Sequence, residues 1–127
     1  MQGQNIRIQV GKGRHQVVLQ GVLIGQGVSV LLIGGEQPHI GGVVLSVPRK
    51  SLTGEGISCD SWILPVPAHR DVEAARPVAE MICRASGQTT VVTAGIHIHQ
   101  AEAWELEVLL ENCCTAARQF IDQFLPK

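Results

Sequence analysis

Two hydrophobic periods divide this chain, and the division falls at Asp71. Ahead of it, apolar residues alternate with polar ones or gather in short runs bounded by glycine and proline. Behind it they recur at helical spacing, with one further strand-like run in between. Strands first, then helix, strand and helix, indicate an α+β fold: a mostly antiparallel sheet of about six strands with two helices packed on one face.

The stretch "NIRIQVGKGRHQVVLQGVLIGQGVSVLLIGG" reads as three strands joined by turns at "GKGR" and "GQG". Ile6, Ile8 and Val10 alternate with Arg7 and Gln9, the pattern of a half-buried edge. "HIGGVVLSV" is a fourth strand opened by His39, and Pro48 is expected to stop it because proline cannot donate to a ladder. "ISCDSWILPV" is a fifth, so the first half is expected to be a β-meander. From Asp71, Val72, Ala75, Ala79 and Ile82 share a helical stripe that Gly87 is placed to cap, with Pro77 as a kink or a first-turn residue. "TTVVTAGIHI" is the sixth strand. A final helix puts Leu106, Leu109, Cys113, Ala117, Phe120 and Phe124 on one face, with Glu102, Glu105 and Glu107 at its N-terminal end, where the helix dipole favours them.

A chain of 127 residues fits one domain, 1–127, with a core of its own. Charged residues are 17% and the formal net charge is −1, so no basic field offers itself to nucleic acid or to an anionic membrane. Two Trp, two Phe and no Tyr also leave little for base stacking. The run "GVSVLLIGG" is far short of the ~20 residues a spanning helix needs, and "MQGQNIRIQV" alternates from the start instead of forming a secretory signal. A cytoplasmic protein is the expectation. Cys59, Cys83, Cys113 and Cys114 form neither a disulfide framework nor a metal knuckle, and read as buried thiols.

Histidine and glycine concentrate the chemistry. On the sixth strand Gly95, His97 and His99 share one face, while Ala94, Ile96 and Ile98 take the other. His39 and Gly41 repeat the pairing in "PHIGGV". A strand glycine weakens its strand unless something approaches the backbone closely, so these glycines are expected to clear volume for a flat ligand bordered by imidazoles. "PAHRD" adds His69 beside Asp71, a good helix N-cap. "VPRKS" offers Arg49, Lys50 and Ser51 as a phosphate anchor or as a solvated turn. His15, at a hairpin turn, reads as a surface residue. No GxSxG or Cys–His signature of a hydrolase is present. A metal-dependent enzyme would draw on His39, His69, His97 and His99. A ligand-binding module needs only a cleft, imidazole donors and an anion anchor.

The segments "GGEQPHIGGVVLSVPRKS", "PVPAHRD" and "TAGIHI" together resemble the LpdD-like prenylated-flavin chaperones, small accessory proteins of gallate decarboxylase systems, from about residue 5 to residue 124. The resemblance implies a fold similar to proteasome-assembly chaperones. It implies a non-enzymatic role: binding prenylated FMN (or FMN), and assisting its maturation or its delivery to a UbiD-type decarboxylase apoenzyme, with a flavin prenyltransferase as a further partner. Carried over, His39, Gly41, Arg49, Ser51, His69 and His97 line the cofactor site. The chain has His99 where the resemblance leads one to expect an acidic residue, so His99 receives no role from it. Alternatives from other classes are the metal-dependent enzyme and a protein-only assembly chaperone. Apolar residues such as Val91 on the helix-free face of the sheet point to a homodimer.

Overall fold

The computed structural model describes residues 4–67 and 69–124, apart from the side chain of Phe124. The place expected for Phe124 on the last helix lies outside the described residues. The elements follow in chain order as β1 (Gln4–Val10), β2 (Val17–Ile24), β3 (Gly27–Gly35), β4 (Gly42–Lys50), β5 (Ile57–Pro65), α1 (Val72–Ser86), β6 (Thr90–His97) and α2 (Ala103–Phe124). A single 3-10 turn (Gly13–His15) joins β1 to β2. The six strands form one sheet in the order β1-β2-β3-β6-β4-β5, antiparallel throughout except for β3 with β6. The fold is the α+β arrangement the sequence predicts.

The meander, however, ends after β3. Strand β6 enters between β3 and β4, pairing Val28–Gly35 on one side and Gly42–Ser46 on the other. Burial gives the reason. Val28, Val30 and Leu32 of β3, and Val92 and Ala94 of β6, are buried on one face, while Leu31, Ile33, Val91 and Thr93 are half-buried on the other. Strands apolar on both faces belong in the middle of a sheet, and the alternating β1 takes an edge. Pro48 does not stop β4, which runs on to Lys50. Pairing with β6 ends at Ser46, so the ladder at Pro48 has a neighbour only in β5, an edge setting in which sheet prolines are tolerated.

Both helices cover the same face. Ala75, Val78, Ala79 and Ile82 of α1 and Leu109, Cys113, Ala117 and Phe120 of α2 close on Leu19, Leu32, Val44 and Val92. Phe120 lies over Gly21 of β2, where an added Cβ would come within 2.5 Å of the ring. Pro77 is inside α1, past its first turn, and removes one helical bond without ending the helix. Gly87 caps α1 in the left-handed conformation (φ 67°), its N–H 2.8 Å from the Cys83 carbonyl. Leu106 departs from its expected place in the core: it is 54% exposed, and the buried stripe of α2 begins instead at Glu105. All four cysteines are free; burial pushes the Cys83 thiol up to about 11 and the Cys113 thiol up to about 12, which makes them packing groups.

Candidate functional site

The segment between β3 and β4 carries His39 across the end of β6. Glu36 N–H donates to the His97 carbonyl (2.7 Å) and Gly41 N–H to the Ala94 carbonyl (2.8 Å). The crossing falls on Gly95, where any Cβ would collide with the His39 carbonyl. Gly41 is hemmed in the same way: a Cβ there would strike the Asp71 carboxylate and come 2.9 Å from His39 Nε2. Both glycines thus make room for the chain's own groups, which corrects the expectation that they clear volume for a ligand. His39 itself stands in the loop and does not open β4.

Asp71 occupies the N-cap position of α1, but its side chain makes no capping bond. It reaches across to β6 instead. Oδ1 accepts the Ile96 N–H (2.8 Å), while Oδ2 lies 3.0 Å from His39 Nε2 and 3.8 Å from His69 Nδ1. The carboxylate is 5% exposed, and the His39 side chain 23%. His39 Nδ1 is 2.9 Å from the Gln37 carbonyl, which can only accept, so Nδ1 carries a proton. That carbonyl raises the His39 pKa most, Asp71 adds to it, and burial works against both. The rings of His39 and His69 lie 4.7 Å apart, and those of His39 and His97 6.5 Å. The structure therefore brings His39, Gly41, His69 and His97 together, and adds Asp71, which a local reading assigns to capping alone.

These groups sit beside a cleft of about 360 Å³ between the start of α1 and the first turns of α2, at the carboxyl end of β6. Ile96, Ile98, Leu106, Leu109 and Leu110 give it apolar walls, and His69, His97 and Asp71 line it from the side of the histidine cluster. Arg70, Glu73 and Glu107 supply its remaining charge. Its volume is near the lower end of the roughly 300–1,000 Å³ usual for small-molecule sites.

Arg49 and Ser51 are not part of this constellation. They lie at the other end of β4; eight residues from Gly41 at ~3.3 Å each put Arg49 about 25 Å away. Arg49 Nε donates to Asp60 Oδ1 (2.9 Å), and Ser51 Oγ pairs with Thr53 Oγ1 (2.8 Å). The cation beside the cleft is Arg70, which holds Glu73 at 2.8 Å. His99 is also elsewhere: β6 ends at His97, and His99 is an exposed turn residue whose N–H donates to Glu36 Oε1 (2.8 Å).

His15 is not a bare surface residue. Its Nε2 lies 2.7 Å from Glu105 Oε2, and its ring meets Trp104 edge-on at 5.4 Å. Arg14 Nε donates to the same carboxylate oxygen (2.9 Å), and Glu105 Oε1 accepts the Glu102 N–H (3.1 Å). The His15 ring, then the backbone bond from Glu102, then Arg14 hold the Glu105 carboxyl down at about 2. This second cluster ties the 3-10 turn to the start of α2.

Residues 11–125 match the family of the prenylated flavin chaperone LpdD-like domain. The chain belongs to that family. In fold, this LpdD-like protein is similar to a chain in the crystal structure of a chaperone complex for yeast 20S proteasome assembly: TM-score 0.61, 12% identity, 96% of this chain and 94% of that one covered. At such identity the likeness is one of fold. No curated protein matches the sequence. Among the described residues, no helix of the LpdD-like protein is long and apolar enough to cross a membrane.

Proposed function

We propose that this protein binds prenylated FMN in the cleft between α1 and α2 and assists its maturation or its delivery to a UbiD-type decarboxylase apoenzyme, without turning over a substrate of its own. The observation that carries the reading is a cluster of three histidines from separate segments, two of which, His69 and His97, line one largely apolar cleft, in a chain whose family is that of prenylated flavin chaperones. A flat tricycle with a polar edge suits such a wall: Leu106, Leu109 and Leu110 exclude water from the ring faces, and His69 and His97 offer bonds to the edge. The group brings its own redox chemistry when bound; the chain's part is to hold it, dry it and exchange protons with it. His97, exposed and lining the cleft, has a ring nitrogen that bound groups can reach, which suits that exchange. Arg70 is the cation for the phosphate, in place of Arg49.

Protein purified from cells that co-express a flavin prenyltransferase is expected to carry a flavin absorbance band, and Leu106→Glu to abolish it while leaving the fold intact, since Leu106 is 54% exposed. Colourless wild-type protein, with cofactor transfer unaffected by His39→Ala or His97→Ala, would sink the reading in favour of a protein-only chaperone.

The helix-free face of the sheet supports a homodimer as part of the same reading. Leu45 pairs with Trp62 and Val43 with Leu64 across β4 and β5, while Leu45 faces Val91 on β6. Trp62 and Leu64 are 57% and 69% exposed. Contiguous apolar surface of this kind marks an interface.

A further inference from the structure

The contact between His39 and Asp71 contains an electrostatic puzzle. His39 Nδ1 is committed as a donor to the Gln37 carbonyl. In the neutral ring, Nε2 then presents a lone pair to the lone pairs of Asp71 Oδ2 at 3.0 Å. Two acceptors at that distance repel unless something positive lies between them. A proton is one answer. The surroundings fit a second one.

We propose that His39 Nε2, His69 Nδ1 and Asp71 Oδ2 form a binding site for one divalent first-row transition-metal ion, with its open coordination positions turned toward the cleft. Metal–nitrogen and metal–oxygen bonds of about 2.1 Å set ligand atoms roughly 3.0 Å apart in octahedral and 3.4 Å apart in tetrahedral geometry. The separations to Asp71 Oδ2 are 3.0 Å from His39 and 3.8 Å from His69, and all three donor atoms lie within 4.8 Å of one another. The His69 ring, 39% exposed, must turn toward the other two donors when an ion binds.

The outer shell is also built. Metal-bound imidazoles donate their second N–H to a carbonyl or carboxylate, which fixes the tautomer, and the Gln37 carbonyl does this for His39. Ile96 N–H holds the second oxygen of Asp71, leaving Oδ2 free to ligate. Two imidazoles and one carboxylate select zinc or ferrous iron over calcium or magnesium, and such a set leaves positions open for an exogenous oxygen ligand. A small anionic oxygen donor in the cleft is the ligand class that would complete the shell. This inference rests on the side-chain geometry alone and does not require that the cleft takes a flavin.

The test is titration of chelator-treated, flavin-free protein with Co2+, followed by visible absorption, and with Zn2+, followed by calorimetry and by the shift in Tm. Wild type is expected to bind one equivalent of each ion, with a cobalt spectrum of mixed nitrogen and oxygen ligation and a raised Tm. His69→Ala, which removes the ligand 3.8 Å from Asp71 Oδ2 and beside the His39 ring, is expected to weaken binding more than tenfold, as is His39→Gln. His99→Ala, outside the cluster, is expected to bind as wild type does. Wild-type affinity no greater than that of the His39→Gln/His69→Ala double variant, or equal loss in His99→Ala, would overturn the site and leave a proton as the bridging charge.

Discussion

A methyl group added at Gly41 has nowhere to go, because the Asp71 carboxylate and His39 Nε2 already fill that space. Gly41→Ala is therefore expected to push the pair apart at a cost of about 1–3 kcal/mol. Denaturant midpoints would show the loss, and ligand binding at the cleft should fall with it; an unchanged midpoint would mean that the pair can move aside freely. The two arginines divide more sharply. Arg70 borders the cleft, whereas Arg49 pairs with an exposed Asp60 in a contact worth under about 1 kcal/mol. Arg70→Ala is expected to erase any preference for FMN over riboflavin, which lacks the phosphate, while Arg49→Ala leaves both affinities as they were. The reverse result in a fluorescence titration would return the anchor to β4. At this scale the sequence was informative about type and silent about partner. "PHIGG" and "AGIHI" announce close approach to glycine, but not that the approaching groups are Asp71 and the His39 backbone. Asp71 in "HRD" satisfies a local rule so well that its long-range use is hidden.

Elements hold or fail by their ends. The start of α2 depends on Glu105, which Arg14 and His15 of the 3-10 turn face together, with Glu36 reaching Arg14 at 3.6 Å. Because the folded carboxyl titrates at about 2 against an ordinary 4.5, its contribution is complete above pH 4.5 and is lost as pH falls toward 2. Thermal melts between pH 5 and 2 should therefore decline more steeply for wild type than for Glu105→Gln; parallel slopes would show that the cluster does not stabilise the folded state. At the other end of α2, Phe120 is fully buried over Gly21, and Phe120→Ala is expected to cost about 3–5 kcal/mol by leaving a cavity between helix and sheet. The helices were legible because their period, the Gly87 cap and the acidic first turn are all local signals. The stripe from Leu109 through Cys113 and Ala117 to Phe120 was read correctly; Leu106 was misplaced because extending it back by one leucine looks equally apolar, and only the tertiary partners Arg14 and His15 explain why Glu105 turns inward there instead.

For the whole molecule, the decisive feature is which strand neighbours which. Alternation identified six strands and the fold class; it carried no information on the insertion of β6, because pairing between strands far apart in the chain leaves no local trace. The consequence for the surface is the apolar helix-free face around Leu45, Trp62 and Leu64. Trp62→Lys is expected to lower the mass seen by sedimentation from dimer to monomer with the Tm little changed. A wild-type monomer would reject the dimer outright.

The placement of β6 also bears on how the polypeptide is made. Until Thr90–His97 leaves the ribosome, the β1–β3 sheet and the β4–β5 hairpin share no backbone ladder, and each carries a raw edge on the side that β6 will occupy. Nascent chains halted near Ser86 would be two sticky halves in search of a seam, and the emergence of Thr90–His97 is what sews them together.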